Sequence, residues 1–197
     1  GRLYFKGAAS TTVNTRYYIY YGNAAATLPA TTDTYGSEAV WPAGFEGVWH
    51  LTETGGTTAL DSTANSEDGT PAGTMTSGDN VDGWDAGAPA LDFDGTDDTV
   101  YAPSTVLDPL ETAGQWTVDT WVNLDATSDR FVFFAGSDAV MQFGLRADTA
   151  SARWRAHWKT STDSNTILYG ATDSATTTAW RKLTMVWTGT LAIFYVN

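Results

Sequence analysis

The residues Ala152-Arg153-Trp154-Arg155-Ala156-His157-Trp158 alternate apolar and charged side chains with a period of two. Successive side chains on a strand point to opposite faces of a sheet, so Trp154, Ala156 and Trp158 share one face and Arg153, Arg155 and His157 the other. A strand with two tryptophans on one face is stable only where another layer covers them, so the rest of the chain has to supply that layer.

Short strand-like runs recur along the chain: Leu3 to Phe5, Tyr17 to Tyr21, Val48 to Leu51, Leu91 to Phe93, Trp116 to Leu124, Phe131 to Phe134 and Met141 to Leu145. Thr166 to Tyr169, Leu183 to Trp187 and Leu191 to Val196 complete the series. Each is rich in β-branched or aromatic residues and is bounded by Gly, Pro, Asn, Asp or Ser, at the spacing of a meander or Greek key rather than of βαβ units. Trp116 to Leu124 places Trp116, Val118, Val122 and Leu124 on one face and Thr117, Asp119 and Asn123 on the other, with Trp121 on the polar side. The segment Ala24 to Ala39 contains Pro29 and Gly36 and has no apolar 3.6-residue period, so it reads as a linker. The predicted fold is all-β, a sandwich of two antiparallel sheets over residues 40–197, preceded by a short N-terminal β segment at 1–23 and a linker at 24–39. The 197 residues suit one sandwich with a short appendage.

Ten Lys and Arg against 23 Asp and Glu give a formal net charge of -13. That field repels phosphate backbones and anionic head groups, so neither nucleic acid nor a membrane is an expected partner. No apolar run approaches the roughly 18 residues of a membrane span. The absence of cysteine removes disulfides, thiolate metal sites and cysteine nucleophiles together.

The succession Val48-Trp49-His50-Leu51, Asp61-Ser62-Thr63-Ala64-Asn65 with Gly69-Thr70, and Ala90-Leu91-Asp92-Phe93-Asp94-Gly95-Thr96-Asp97-Asp98 resembles the opening of laminin G-like, concanavalin A-like jelly rolls. Trp116-Thr117-Val118, Trp121-Val122, Trp180 with Leu183-Thr184-Met185-Val186, and Leu191 to Asn197 follow in the same order. Tyr17 to Asn23 resembles the tail of a small β module that precedes such domains in prokaryotic surface proteins. The resemblance implies a secreted or cell-surface protein, carbohydrate or protein binding, and often one structural calcium ion; it does not imply a reaction. It also implies further strands after Leu191 to Val196. The sandwich is therefore expected to lack its C-terminal strands in this chain, its open edge covered by the N-terminal strands within the chain or in a neighbour.

Asp61, Thr63, Asn65 and Asp68, ahead of Gly69, offer oxygen ligands in a polar loop, as calcium requires. Ser66 and Ala72 stand where an EF-hand would have its turn glycine and bidentate glutamate, and the same residues equally suit an Asx turn. Asp92, Asp94, Asp97 and Asp98 could hold a glycosidase pair only if they shared a strand face, and Gly95-Thr96 breaks that strand into a turn. His50 and His157 lie in neither a Gly-x-Ser-x-Gly elbow nor an HExxH helix, so neither a triad nor a catalytic zinc is expected. Trp84, Trp121, Trp158 and Tyr169 with Arg153, Arg155 and His157 form a candidate sugar platform, because pyranose rings stack an apolar face on an aromatic and direct hydroxyls to polar neighbours. The expected ligand contacts are Trp84, Trp121, Arg153, Arg155 and His157, while most of the nine tryptophans fill the core. The expected function is a non-catalytic adhesion or binding module for a glycan or surface protein. The alternatives are a filament subunit self-assembled through sheet edges and N-terminal strands, and a glycoside hydrolase-related sandwich.

Overall fold

A computed structural model describes residues 7, 11, 15–17, 23–34, 36–84, 88–108, 114–126, 129–136, 142–148, 150–159, 166–170, 175 and 177–197, the side chains of Gln142, Lys159 and Thr166 excepted. The expected strand Leu3 to Phe5, and Tyr17 to Tyr21 beyond its first residue, lie outside these residues. The chain divides into two compact units, Gly1–Pro103 and Ser104–Asn197.

The first unit holds a 3-10 turn at Ser37–Val40 and four short strands, β1 (Thr70–Ala72), β2 (Asn80–Asp82), β3 (Pro89–Leu91) and β4 (Thr99–Tyr101). They pair antiparallel as β1 with β4 and β2 with β3. The expected strand Val48 to Leu51 contributes only one bridge, Trp49 to Asp61. Leu51 has φ of 53°, a left-handed conformation that ends the extended run.

The second unit carries a 3-10 turn at Ser104–Val106 and the strands β5 (Trp116–Val122), β6 (Phe131–Ala135), β7 (Gln142–Asp148), β8 (Arg153–Lys159), β9 (Thr166–Tyr169), β10 (Arg181–Trp187) and β11 (Ala192–Val196). They form a three-stranded sheet in the order β11-β10-β5 and a four-stranded sheet in the order β6-β7-β8-β9, antiparallel throughout. Trp116, Leu183 and Met185 from the first sheet and Phe143, Leu145, Ala147, Trp154, Ala156 and Trp158 from the second make one buried cluster. The period-two pattern thus places the tryptophan face of β8 inside. Ring contacts tie the layers together: Trp158 stacks on Trp187 at 4.7 Å between centroids, and Trp116 on Phe143 at 4.4 Å. The β10–β11 hairpin turns at Gly189, whose φ of 89° would strain any residue with a Cβ.

Candidate functional site

The outer face of the four-stranded sheet is built by the residues that alternate with the core. On β8 these are Arg153, Arg155 and His157, as their spacing predicts. Opposite them on β7 stand Gly144, Arg146 and Asp148. On β6 a register shift between Phe131 and Phe133 sets Phe131 opposite Arg146 and Phe134 opposite Gly144, so two residues three apart share the outer face. On β9, Tyr169 is opposite Arg155.

The aromatic rings lie against this surface without being buried by it. Phe131 is 44% exposed, Phe134 50% and Tyr169 50%. Gly144 lets the Phe131 ring lie down on the sheet, since a Cβ there would stand 2.8 Å from ring carbon Cε1 and 2.9 Å from the Phe133 carbonyl oxygen. Phe131 meets Phe134 edge-on at 5.2 Å and His157 at 5.6 Å. The Arg146 guanidinium lies 5.1 Å from the Phe131 centroid, and that of Arg155 lies 5.2 Å from Tyr169.

Carboxylates hold both guanidiniums in place. Arg146 pairs with Asp129 at 2.7 Å, and Arg155 pairs at 2.5 Å with Asp148, whose side chain is 2% exposed. Asp148 also accepts from the Ala150 N–H at 3.1 Å and from the Ser151 hydroxyl, so one buried carboxylate closes the β7–β8 turn and orients Arg155. The Ser151 hydrogen bond keeps the Asp148 carboxyl below the ordinary 3.8 against the opposing effect of burial, with Arg155 adding to the depression. The Nε atoms of Arg146 and Arg155 and Nε2 of His157 are buried with no hydrogen-bond partner among the described residues. Burial lowers the pKa of His157 from 6.5, and Arg146 and Arg155 lower it further against the opposing pull of Asp129.

That depression fixes the sign of a pH effect. Between the folded pKa of His157 and 6.5 the unfolded chain binds more protons, so the stability tied to this group is complete above pH 6.5 and falls as pH drops through that window. A His157→Gln chain should lose this part of the slope when melting temperature is measured from about pH 8 to about pH 5. Equal slopes in both chains would show that His157 does not titrate differently on folding.

Two expected ligand contacts fall elsewhere. Trp121 sits half-buried on the outer face of the three-stranded sheet, opposite Lys182, and Trp84, 44% exposed, follows β2 in the first unit. Arg153, Arg155 and His157 come together, joined by Tyr169, whereas Trp158 belongs to the core. The sequence reading missed Phe131, Phe134 and Arg146. Arg146 was legible in the alternation of Phe143, Leu145 and Ala147 with Gly144, Arg146 and Asp148, and Gly144 inside such a strand was a further signal of close approach.

The expected calcium ligands do share one loop, where they bond to the protein itself. Asp61 Oδ1 accepts from the N–H groups of Val48 (2.8 Å) and Thr63 (3.0 Å), and Oδ2 from the Thr63 hydroxyl (2.6 Å) and the Glu67 N–H (3.1 Å). Asp68 accepts from the Asp61 N–H at 2.8 Å, and the Asn65 amide donates to the carbonyls of Phe45 (3.1 Å) and Glu46 (3.0 Å). Burial raises the Asp61 pKa, but these hydrogen bonds outweigh it and hold the carboxyl below 3.8. With both Asp61 oxygens committed twice, the set in this arrangement does not fit the six or more oxygens, roughly, of a calcium cage. The carboxylates of Asp94, Asp97 and Asp98 lie within 4.8 Å of one another, and Asp94 caps its own turn through the N–H groups of Thr96 (2.7 Å) and Asp97 (3.2 Å).

The laminin G-like model of the family described as the concanavalin A-like lectin/glucanases superfamily matches residues 94–197. Comparison with curated proteins and with solved structures gives no match. Laminin G-like domains are in general non-catalytic modules that bind carbohydrate or protein, and they occur typically in extracellular proteins. Among the described residues no helix is long and apolar enough to cross a membrane.

Proposed function

Because the chain belongs to the concanavalin A-like lectin/glucanases superfamily, matched over residues 94–197, we propose that it is a non-catalytic, cell-surface module that binds carbohydrate on the outer face of the sheet β6-β7-β8-β9. The observation that carries this reading is the group of rings 44–50% exposed at Phe131, Phe134 and Tyr169, laid beside guanidiniums that carboxylates hold in place. Rings half open to solvent offer the apolar surface on which a sugar stacks, and the guanidiniums keep N–H donors for its hydroxyls. Arg146 and Arg155 are each paired with an aspartate, so neither of these two guanidiniums is an uncompensated charge. Catalysis on this face would need two carboxyls about 5–10 Å apart flanking a sugar bond. Asp148, which is buried, and Asp129, paired to Arg146, support binding instead.

A glycan array on the purified chain tests the reading. Phe131→Ala should lower the signal of every bound glycan by about tenfold, the value of one stacked ring. An array without signal, or one that Phe131→Ala leaves unchanged, would remove carbohydrate from this face and leave a protein ligand as the reading.

A further inference from the structure

The register of the four-stranded sheet draws one continuous row across it. Phe131 is opposite Arg146, Arg146 opposite Arg155, and Arg155 opposite Tyr169. Each guanidinium lies by the ring at its own end of the row, Arg146 by Phe131 and Arg155 by Tyr169. Both arginines keep about one-fifth of the side chain exposed, 18% and 20%, between rings that are 44% and 50% exposed. Three strand spacings of about 4.8 Å separate the row's ends by about 14 Å, which is longer than one sugar ring.

We propose that the ligand of this face is a linear glycan read along its length, lying across the strands with one ring stacked at Phe131 and another at Tyr169. This inference rests on the carbohydrate reading above. A site for a single terminal sugar needs one aromatic floor with polar groups converging on it from all sides. Here the polar groups lie in line between two floors, and each floor has its own cation. Like charges directly opposite on neighbouring strands repel, and the pairing of Arg146 with Asp129 and of Arg155 with Asp148 is what lets two arginines sit side by side. One extended ligand lying along the row faces both guanidiniums at once. Gly144 is the positioning residue of the Phe131 end, because only without a Cβ does that ring lie flat enough to continue the line.

Calorimetric titration with glucans, mannans and galacturonans, each graded from monosaccharide to hexasaccharide, tests the proposal. Affinity should rise with length until a chain reaches both rings and then level off, with a gain of about tenfold or more for the second ring. Phe131→Ala and Tyr169→Ala should each abolish the gain with length, and the double variant should show no more length dependence than either alone. Near-ultraviolet circular dichroism of the Trp158–Trp187 stack, unchanged in all three variants, shows that the fold persists. A monosaccharide that binds as tightly as the hexamer of the same sugar would overturn the spanning ligand and leave the carbohydrate reading standing. If chains of no length bind, both readings fall.

Discussion

Trp154→Ala should remove a large share of the stability of the second unit. The side chain is 0% exposed, lies on the core face of β8, and packs in a cluster drawn from both sheets. Truncating a buried tryptophan costs about 3–5 kcal/mol, from lost transfer free energy and from a cavity the neighbouring layers fill only in part. A domain of this size has about 5–15 kcal/mol in total, so the variant should unfold at a much lower urea concentration with a similar slope. Tyr169→Ala, at 50% exposure, is the control and should cost under about 1 kcal/mol. A Trp154→Ala chain within about 1 kcal/mol of the parent would mean that the two sheets do not share this core.

Asp61→Ala should cost about 2–4 kcal/mol in the presence of chelator. Its carboxylate satisfies three N–H groups and a hydroxyl and ties residues 48, 63 and 67 together, around Thr63, which is 3% exposed. Donors left without an acceptor cost about 1–3 kcal/mol each when buried, and less here because the site is only partly enclosed. Proteolysis should then begin within residues 45–69, where those bonds close the loop. The depressed Asp61 pKa gives the acid side of the same prediction: its contribution is complete above 3.8 and is lost as pH falls through the lower folded value. If added calcium raises the melting temperature of the parent and not of Asp61→Ala, the loop is a metal site after all.

The family, the all-β class and the division of β8 into a core face and a polar face were legible from residue order. Strand alternation is a local rule, and Trp154, Ala156 and Trp158 against Arg153, Arg155 and His157 satisfy it without help from the rest of the chain. The same rule read Trp121 correctly as outward-facing, while it could not say which sheet that outward face belongs to. Grouping Trp121 with β8 required knowing strand order, which is set by which apolar faces pack best across the whole domain. Local rules also miss a bulge. Strict alternation puts Phe131 and Phe133 together, whereas the extra residue turns Phe131 and Phe134 to the same side and makes the aromatic end of the row. The loop at Asp61 shows the same limit, because an Asx turn and a cation loop use the same residues and differ only in what approaches them. There the chain brings Val48, Phe45 and Glu46 back from 13–20 positions away to make the bonds. The sequence by itself therefore determined which side chains of β8 leave the core, through a period-two pattern that the strand carries alone. Only the tertiary structure decided which of them meet, because register, bulge and long-range hydrogen bonds are set by the packing of strands against one another.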